Sequence, residues 1–242
     1  MKVKRSYDDP CGVARALDAV GERWALLVVR ELLHGPKRFS ALSGALPGMS
    51  QNVLSQRLRE LEDAGLVARR TFGPPASARG YELTERGYEL EPVLLALGRW
   101  GSRIPVESGA ELSVDALILA LRTTFDPMVT AGRHIRVELR LGDDRFLAEI
   151  APAEITSHAS TAGKIALGEA TAGEIAPGEF IVARGIGGPA DATLVTDAGT
   201  LRAVVFGGLD LAEAERAGWL HVEGDQQAAA WFTRCFPRPA TI

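Results

Sequence analysis

Apolar residues at helical spacing dominate the first hundred positions. Between residues 13 and 33 one stripe runs through Val13, Leu17 and Val20, and another through Trp24, Leu27, Val28 and Leu32, with Gly21 between them. At about 100° per residue this predicts two helices. Gly35-Pro36 stops the second, since glycine closes a helix end readily and proline cannot continue it. Residues 40–46 predict a short helix, ended by Pro47-Gly48. Ser50 is placed to cap a further helix through Ala64, which Gly65 closes. Strands are predicted over 66–72 and 80–84, joined by the Gly- and Pro-rich stretch 73–79 as a loop. Thr84 is then expected to cap one long helix carrying Leu90, Val93, Leu94, Leu97 and Trp100.

After a stretch of small residues around Pro105 the texture changes. A helix capped by Ser113 is predicted over 113–126 and stops before Pro127. Residues 135–141 alternate strictly, which predicts a strand with one wet face, and Gly142-Asp143-Asp144 turns into a second strand over 145–150. Further strands are expected at 180–183, 192–196 and 219–223, and helices at 200–206, 211–217 and 226–236. A short motif recurs at 149–154, 164–169 and 174–179. Repeats that short do not build a solenoid, so 154–178 reads as an expanded loop or extra hairpin. The expected domains are 1–104, a linker at 105–112, and 113–242.

Composition adds limits. With 46% apolar and 24% charged residues, 242 positions suffice for one large or two ordinary globular domains. No apolar run reaches the roughly 18 residues of a membrane-spanning helix, and the start, MKVKRSYDDPCG, has no apolar leader. Two distant cysteines, Cys11 and Cys235, suit a reduced compartment. The chain is therefore expected to be cytoplasmic and away from membranes. Its net charge of −4 hides an asymmetry, because residues 1–105 carry +4 and residues 106–242 carry −8. Only the first half suits a polyanionic partner.

The helix at 50–64 has two chemically distinct faces. Leu54, Leu58 and Leu61 form a packing stripe, while Asn52, Ser55, Gln56 and Arg59 lie opposite. Amides and guanidinium groups can pair bidentately with adenine and guanine edges in a major groove. Helix, turn, helix and a basic hairpin follow one another in winged-helix order, and in that docking mode the helix N-terminus leads into the groove. The base-contacting candidates are Ser50, Gln51, Asn52, Ser55, Gln56 and Arg59. Lys37, Arg38, Arg57, Arg69, Arg70 and Arg79 are candidates for phosphates, Arg57 being nearer the packed face. Such contacts fix register rather than sequence.

The stretches CGVARALDAVGERW (11–24), RELL (30–33), RFS (38–40), LPG (46–48), LSQRLREL (54–61) and YELTERG (81–87) resemble the HxlR family of winged-helix transcriptional regulators over about residues 10–101. The resemblance implies double-stranded DNA with an inverted-repeat operator as partner. It also implies a homodimer built from the N-terminal and long C-terminal helices. Some relatives sense oxidants through a cysteine at the place of Cys11, which makes it a candidate redox thiol. The neighbouring Asp8 and Asp9 would raise a thiol pKa, with Arg15 opposing them.

In the second half, ATLVTD (192–197), GTLRAVVFGG (199–208), LAEAERAG (211–218) and WLHVEGD (219–225) resemble the sterol-carrier-protein-like fold over about residues 113–237. That resemblance implies a mixed sheet and helices around an apolar cavity. Leu117, Leu121, Phe125, Phe146, Phe206, Trp219 and Phe232 are the candidates to line it, or simply to fill a core. The fold class expected overall is α+β: an N-terminal winged helix-turn-helix, mostly α with a β-hairpin wing, plus a C-terminal α/β sterol-carrier-like domain with a mixed sheet.

His134, His158 and His221 are isolated, and neither a nucleophile–base pair nor a metal-ligand spacing can be named. No enzyme, metal or cofactor is expected. The reading is a sequence-specific DNA-binding regulator modulated by an apolar small molecule. The alternative is a lipid or small-molecule carrier whose winged helix docks a protein.

Overall fold

The computed structural model describes residues 6–72, 79–105, 111–130, 133–151, 178–185 and 188–238. The expectations for the loop tip, for most of the linker and for the repeated motif at 154–178 lie outside these residues. The chain forms two compact units, one ending at Thr123 and the other beginning at Thr124.

The first unit opens with α1 (Gly12–Val20) and α2 (Ala25–Leu32), separated at Gly21 as the pattern predicts. A two-residue strand β1 (Lys37–Arg38) leads into α3 (Phe39–Ala45). Helix α4 (Gln51–Asp63) follows, and the Ser50 hydroxyl accepts from the Val53 N–H at its start. Strands β2 (Val67–Thr71) and β3 (Arg79–Leu83) form the hairpin, and β1 pairs with the outer side of β3, giving the order β1-β3-β2. The core is Val28, Val29 and Leu32 of α2 and Leu42 of α3 against Leu54, Leu58 and Leu61 of α4.

The single helix expected after Thr84 is two. Thr84 caps a short α5 (Glu85–Tyr88), and α6 (Glu91–Gly101) starts after a break at Glu89-Leu90. Pro92 in the first turn of α6 is the reason. Its ring lacks an N–H and crowds the carbonyl four residues back, so a helix cannot run continuously through it. The stripe of α1 is also not buried as drawn: Val13 is 68% exposed and Leu17 42%.

Helix α7 (Val114–Thr124), which the sequence pattern groups with the second half, packs with the first unit. Leu119 joins the α2–α4 core, and the Ser113 hydroxyl accepts from the Ala116 N–H at its start. Its other anchor is a buried polar cluster. Glu31 and Asp115 are fully buried. Glu31 accepts from Arg30 (2.8 Å), Lys37 (2.8 Å) and the Ser113 hydroxyl (2.6 Å). Asp115 lies 2.5 Å from Lys37 Nζ and 3.1 Å from His34 Nδ1. Buried carboxylates are tolerable only with such partners.

The second unit begins with a 3₁₀ turn (Pro127–Thr130) and contains a five-stranded mixed sheet. Its strands are β4 (Ile135–Leu141), β5 (Asp144–Ile150), β6 (Phe180–Arg184), β7 (Ala192–Thr196) and β8 (His221–Gly224), ordered β6-β5-β4-β7-β8. Only β4 and β7 are parallel. Along β4, Ile135, Val137, Leu139 and Leu141 are buried, while Arg136, Glu138 and Arg140 face water in part. Helices α8 (Ala198–Phe206), α9 (Leu211–Arg216) and α10 (Gln226–Arg234) complete the unit.

Removing a partner from a buried charge cluster strands the remaining charges, at a cost of about 3–5 kcal/mol. Asp115→Ala is therefore expected to lower the urea-unfolding free energy by that order. Arg140→Ala, on the wetter sheet face, should cost no more than about 1 kcal/mol. Equal effects in the two variants would contradict the anchoring role of Asp115.

Candidate nucleic-acid interface

The burial of Leu54, Leu58 and Leu61 fixes the rotation of α4 about its axis. Each is 1% exposed, so the opposite face must look outward. Ser50, Gln51, Asn52 and Arg59 are exposed, and Ser55 and Gln56 are half-buried. The six base-contacting candidates thus share one surface. Two of them are held along the helix. Gln56 Nε2 donates to Glu60 Oε1 at 2.9 Å, and Arg59 Nε donates to the Ser55 carbonyl at 3.1 Å.

The basic candidates divide. Arg38 is exposed, and its guanidinium lies 5.6 Å from the centroid of the Phe72 ring, within cation–π range. Phe72 in turn covers Gly80. A Cβ there would fall within 2.6 Å of the Lys37 carbonyl oxygen and closer still to the Phe72 ring, so this strand position accepts only glycine. Arg79 is exposed and makes no ion pair with a described residue. Arg69 and Arg70 sit on β2, paired with Glu62 (2.8 Å) and Glu82 (2.7 Å). The Glu62 hydrogen bond and charge raise the Arg69 pKa further. Exposed pairs of this kind are weak, so both guanidinium groups can exchange a carboxylate for a phosphate.

Two expectations need correction. Lys37 is not offered to solvent, because its ammonium is held between Glu31 and Asp115 and its side chain is 15% exposed. Arg57 is 8% exposed and pairs with Glu60, on its own helix, and with Glu22 at 3.6 Å. Both charges serve the fold. The sequence does carry a signal for the first. Glu31 lies three residues after Val28, on the apolar stripe of α2, where a carboxylate needs a buried cation.

Cys11 precedes α1 and is exposed. The backbone N–H groups of Val13 and Ala14 lower its thiol pKa, although no side-chain capping hydrogen bond closes. The helix N-terminus thus outweighs the nearby aspartates. Cys235 is buried, and desolvation pushes its thiol up to about 12.

The cavity candidates do not converge. Leu117 and Leu121 are fully buried on α7, in the first unit. Phe125, Phe180, Phe232 and Phe236 tile one another at ring centroid distances of 5.0–6.3 Å. Phe146 is fully buried. Phe206 lines a small recess with Arg202 and Arg238, and Trp219 is 58% exposed. These rings fill a core or face water. The larger concavity lies elsewhere, an open groove of about 720 Å³ bordered by Val205, Leu209, Leu211, Ala230, Arg234 and Phe236. Among the described residues no group of His, Cys, Asp or Glu is arranged to hold a metal ion, and no helix is long and apolar enough to cross a membrane.

The profile of the HxlR-like helix-turn-helix family matches residues 19–108, which hold α2, α3, α4, the wing and α6. The HTH-type transcriptional regulator sll1512 of Synechocystis is 36% identical over 104 residues, covering 43% of this chain and 77% of that one. The chain belongs to the HxlR-like helix-turn-helix family. A second relative, the HTH-type transcriptional regulator YvaP of Bacillus subtilis, is 40% identical over 88 residues, or 36% of this chain and 82% of its own. The solved structure of the regulator ytcD is 36% identical, covers 38% of this chain and 94% of its own, and superposes with a TM-score of 0.36. All three likenesses cover well under half of this HxlR-like chain.

Two outcomes test this geometry. Gly80→Ala should destabilise the wing by about 1–3 kcal/mol through overpacking, read as a lower urea midpoint. An unchanged midpoint would mean that Phe72 does not rest on Gly80. At neutral pH, iodoacetamide should alkylate Cys11 in the native protein and leave Cys235 untouched, as peptide mass mapping would reveal. The reverse order would contradict both assignments.

Proposed function

We propose that this HxlR-like protein is a sequence-specific DNA-binding transcriptional regulator that inserts α4 into the major groove. The observation that carries the reading is the outward face of α4, where Ser50, Gln51, Asn52 and Arg59 stand exposed beside a wing bearing Arg38, Arg69, Arg70 and Arg79. Both relatives described above are named HTH-type transcriptional regulators, which supports it. Asn52 and Gln56 suit adenine and Arg59 suits guanine, while the wing arginines suit phosphates.

The working form is a homodimer on an inverted-repeat operator. Support comes from the apolar residues of the first unit that its own core leaves exposed. On α1 these are Val13 and Leu17, and on α6 they are Val93 (50%), Leu97 (47%) and Trp100 (60%). Two half-sites one helical turn apart, about 34–36 Å, match a dimer of such modules.

The second unit acts as a sensor. An apolar or amphipathic small molecule in the α8–α9–α10 groove shifts the equilibrium between DNA-competent and incompetent states. A ligand does this only through differential affinity for the two, and a coupling of about 1–3 kcal/mol would change DNA affinity roughly 5–150-fold.

The test is selection of duplexes from a random library followed by titration at several salt concentrations. An enriched inverted repeat, with log K falling linearly in log salt, is expected. Failure to retain any duplex at low salt would overturn the reading. On the selected duplex, Asn52→Ala should cost about 1–3 kcal/mol and relax preference at one base pair per half-site. A uniform loss across all sequences would remove Asn52 from base reading.

A further inference from the structure

The turn between α1 and α2 contains an arginine to which the interface described above gives no role. Trp24 adopts φ 80° and ψ −17°, the left-handed region. Among the described residues only Asp8 shares a positive φ without being glycine. A bulky residue stays in such a conformation only where its surroundings over-determine it.

Those surroundings are α4 and the turn before it. The Trp24 ring packs against the α2–α4 core, and its Cη2 lies 3.9 Å from where a Cβ of Gly48 would stand. Gly48 is two residues before the Ser50 cap. On the other side of Trp24, Glu22 reaches Arg57 of α4 at 3.6 Å. Backbone bonds close the turn, with the Ala25 N–H donating to the Glu22 carbonyl at 3.0 Å and the Val28 N–H to the Trp24 carbonyl at 2.9 Å. The residue between the two anchors is Arg23. It is exposed and makes no ion pair with a described residue. Its guanidinium carbon sits 5.3 Å from the Trp24 ring centroid, a stacking that pre-orders a long side chain.

We propose that Arg23 binds a DNA phosphate beside the N-terminal end of α4, and that Trp24 is its positioning residue. The proposal rests on the DNA-binding reading above. Most other cations near this face are spoken for: Arg57 and Lys37 are buried in ion pairs, and Arg59 is tied to its own helix. Arg23 supplies an uncommitted planar guanidinium on a turn that α4 fixes at two points. A guanidinium suits phosphate because two parallel N–H donors match two anionic oxygens. Docked there, it would hold the sugar–phosphate backbone at one rim of the groove while the wing arginines hold it elsewhere. Its contribution would set register and affinity, with no preference among bases.

The experiment uses the full chain and the duplex that the wild type selects from a random library, titrated over a range of KCl concentrations. Arg23→Ala is expected to weaken binding roughly tenfold, equally on selected and scrambled duplexes. It should also make the slope of log K against log salt shallower by about 0.9. Arg23→Lys should keep the slope while recovering only part of the affinity. Trp24→Phe should weaken binding in the wild-type background and have no further effect beside Arg23→Ala. Wild-type affinity and slope in Arg23→Ala would overturn the phosphate role. Equal Trp24→Phe losses in both backgrounds would overturn the positioning role. A wild type that selects no duplex would overturn the DNA-binding reading itself, which a wild type that binds with unchanged Arg23→Ala behaviour would leave intact.

Discussion

A fully buried carboxylate constrains everything around it. Glu31 sits on the inward side of α2, beside Val28 and Leu32, with no solvent to hold its charge. It therefore collects the Arg30 guanidinium, the Lys37 ammonium and the Ser113 hydroxyl. Lys37 begins the short strand β1, which pairs with β3, so the same charge helps place the base of the wing. Ser113 caps α7, and Asp115 in its first turn completes the coordination of Lys37. One ionic cluster thus joins the helix before the helix-turn-helix, the wing and a helix beyond the family-matched residues. Replacing such a cluster by apolar residues can be neutral, but half of it cannot be left behind.

The outward surface obeys the opposite rule. Its cations are exposed or loosely paired, as Arg69 with Glu62 and Arg70 with Glu82 illustrate. Solvent already weakens those pairs, so trading a carboxylate for a phosphate loses little. Salt sensitivity should therefore arise from the wing and the α1–α2 turn, and sequence preference from α4. Internal charges fix the scaffold while peripheral charges remain exchangeable.

Much of this was legible in the sequence because it rests on periodicity and punctuation. The leucines of α4, its Ser50 cap, the closing Gly65 and the alternation of β4 each follow from local rules. The break between α5 and α6 was written in Pro92 but masked by the apolar stripe running past it. Lys37 and Arg57 misled because a basic residue in a basic region looks solvent-exposed until its distant partners, Asp115 and Glu22, are brought to it. The placement of α7 had the same origin. Its periodicity announces a helix, but only the Asp115–Lys37 and Ser113–Glu31 contacts say which core it joins. The aromatic candidates of the second unit failed for a related reason. Spacing predicts which rings point inward, and only packing tells a filled core from a hollow one.

The central claim is that the polar face of α4 and the basic wing form the DNA-binding surface. The most direct measurement is backbone amide chemical-shift mapping of the full chain on titration with its selected duplex. The account predicts that the largest changes fall on Ser50–Arg59 and on strands β2 and β3, with smaller ones at the Glu22–Trp24 turn. Changes concentrated on the strands and helices of the second unit, with α4 unmoved, would contradict it.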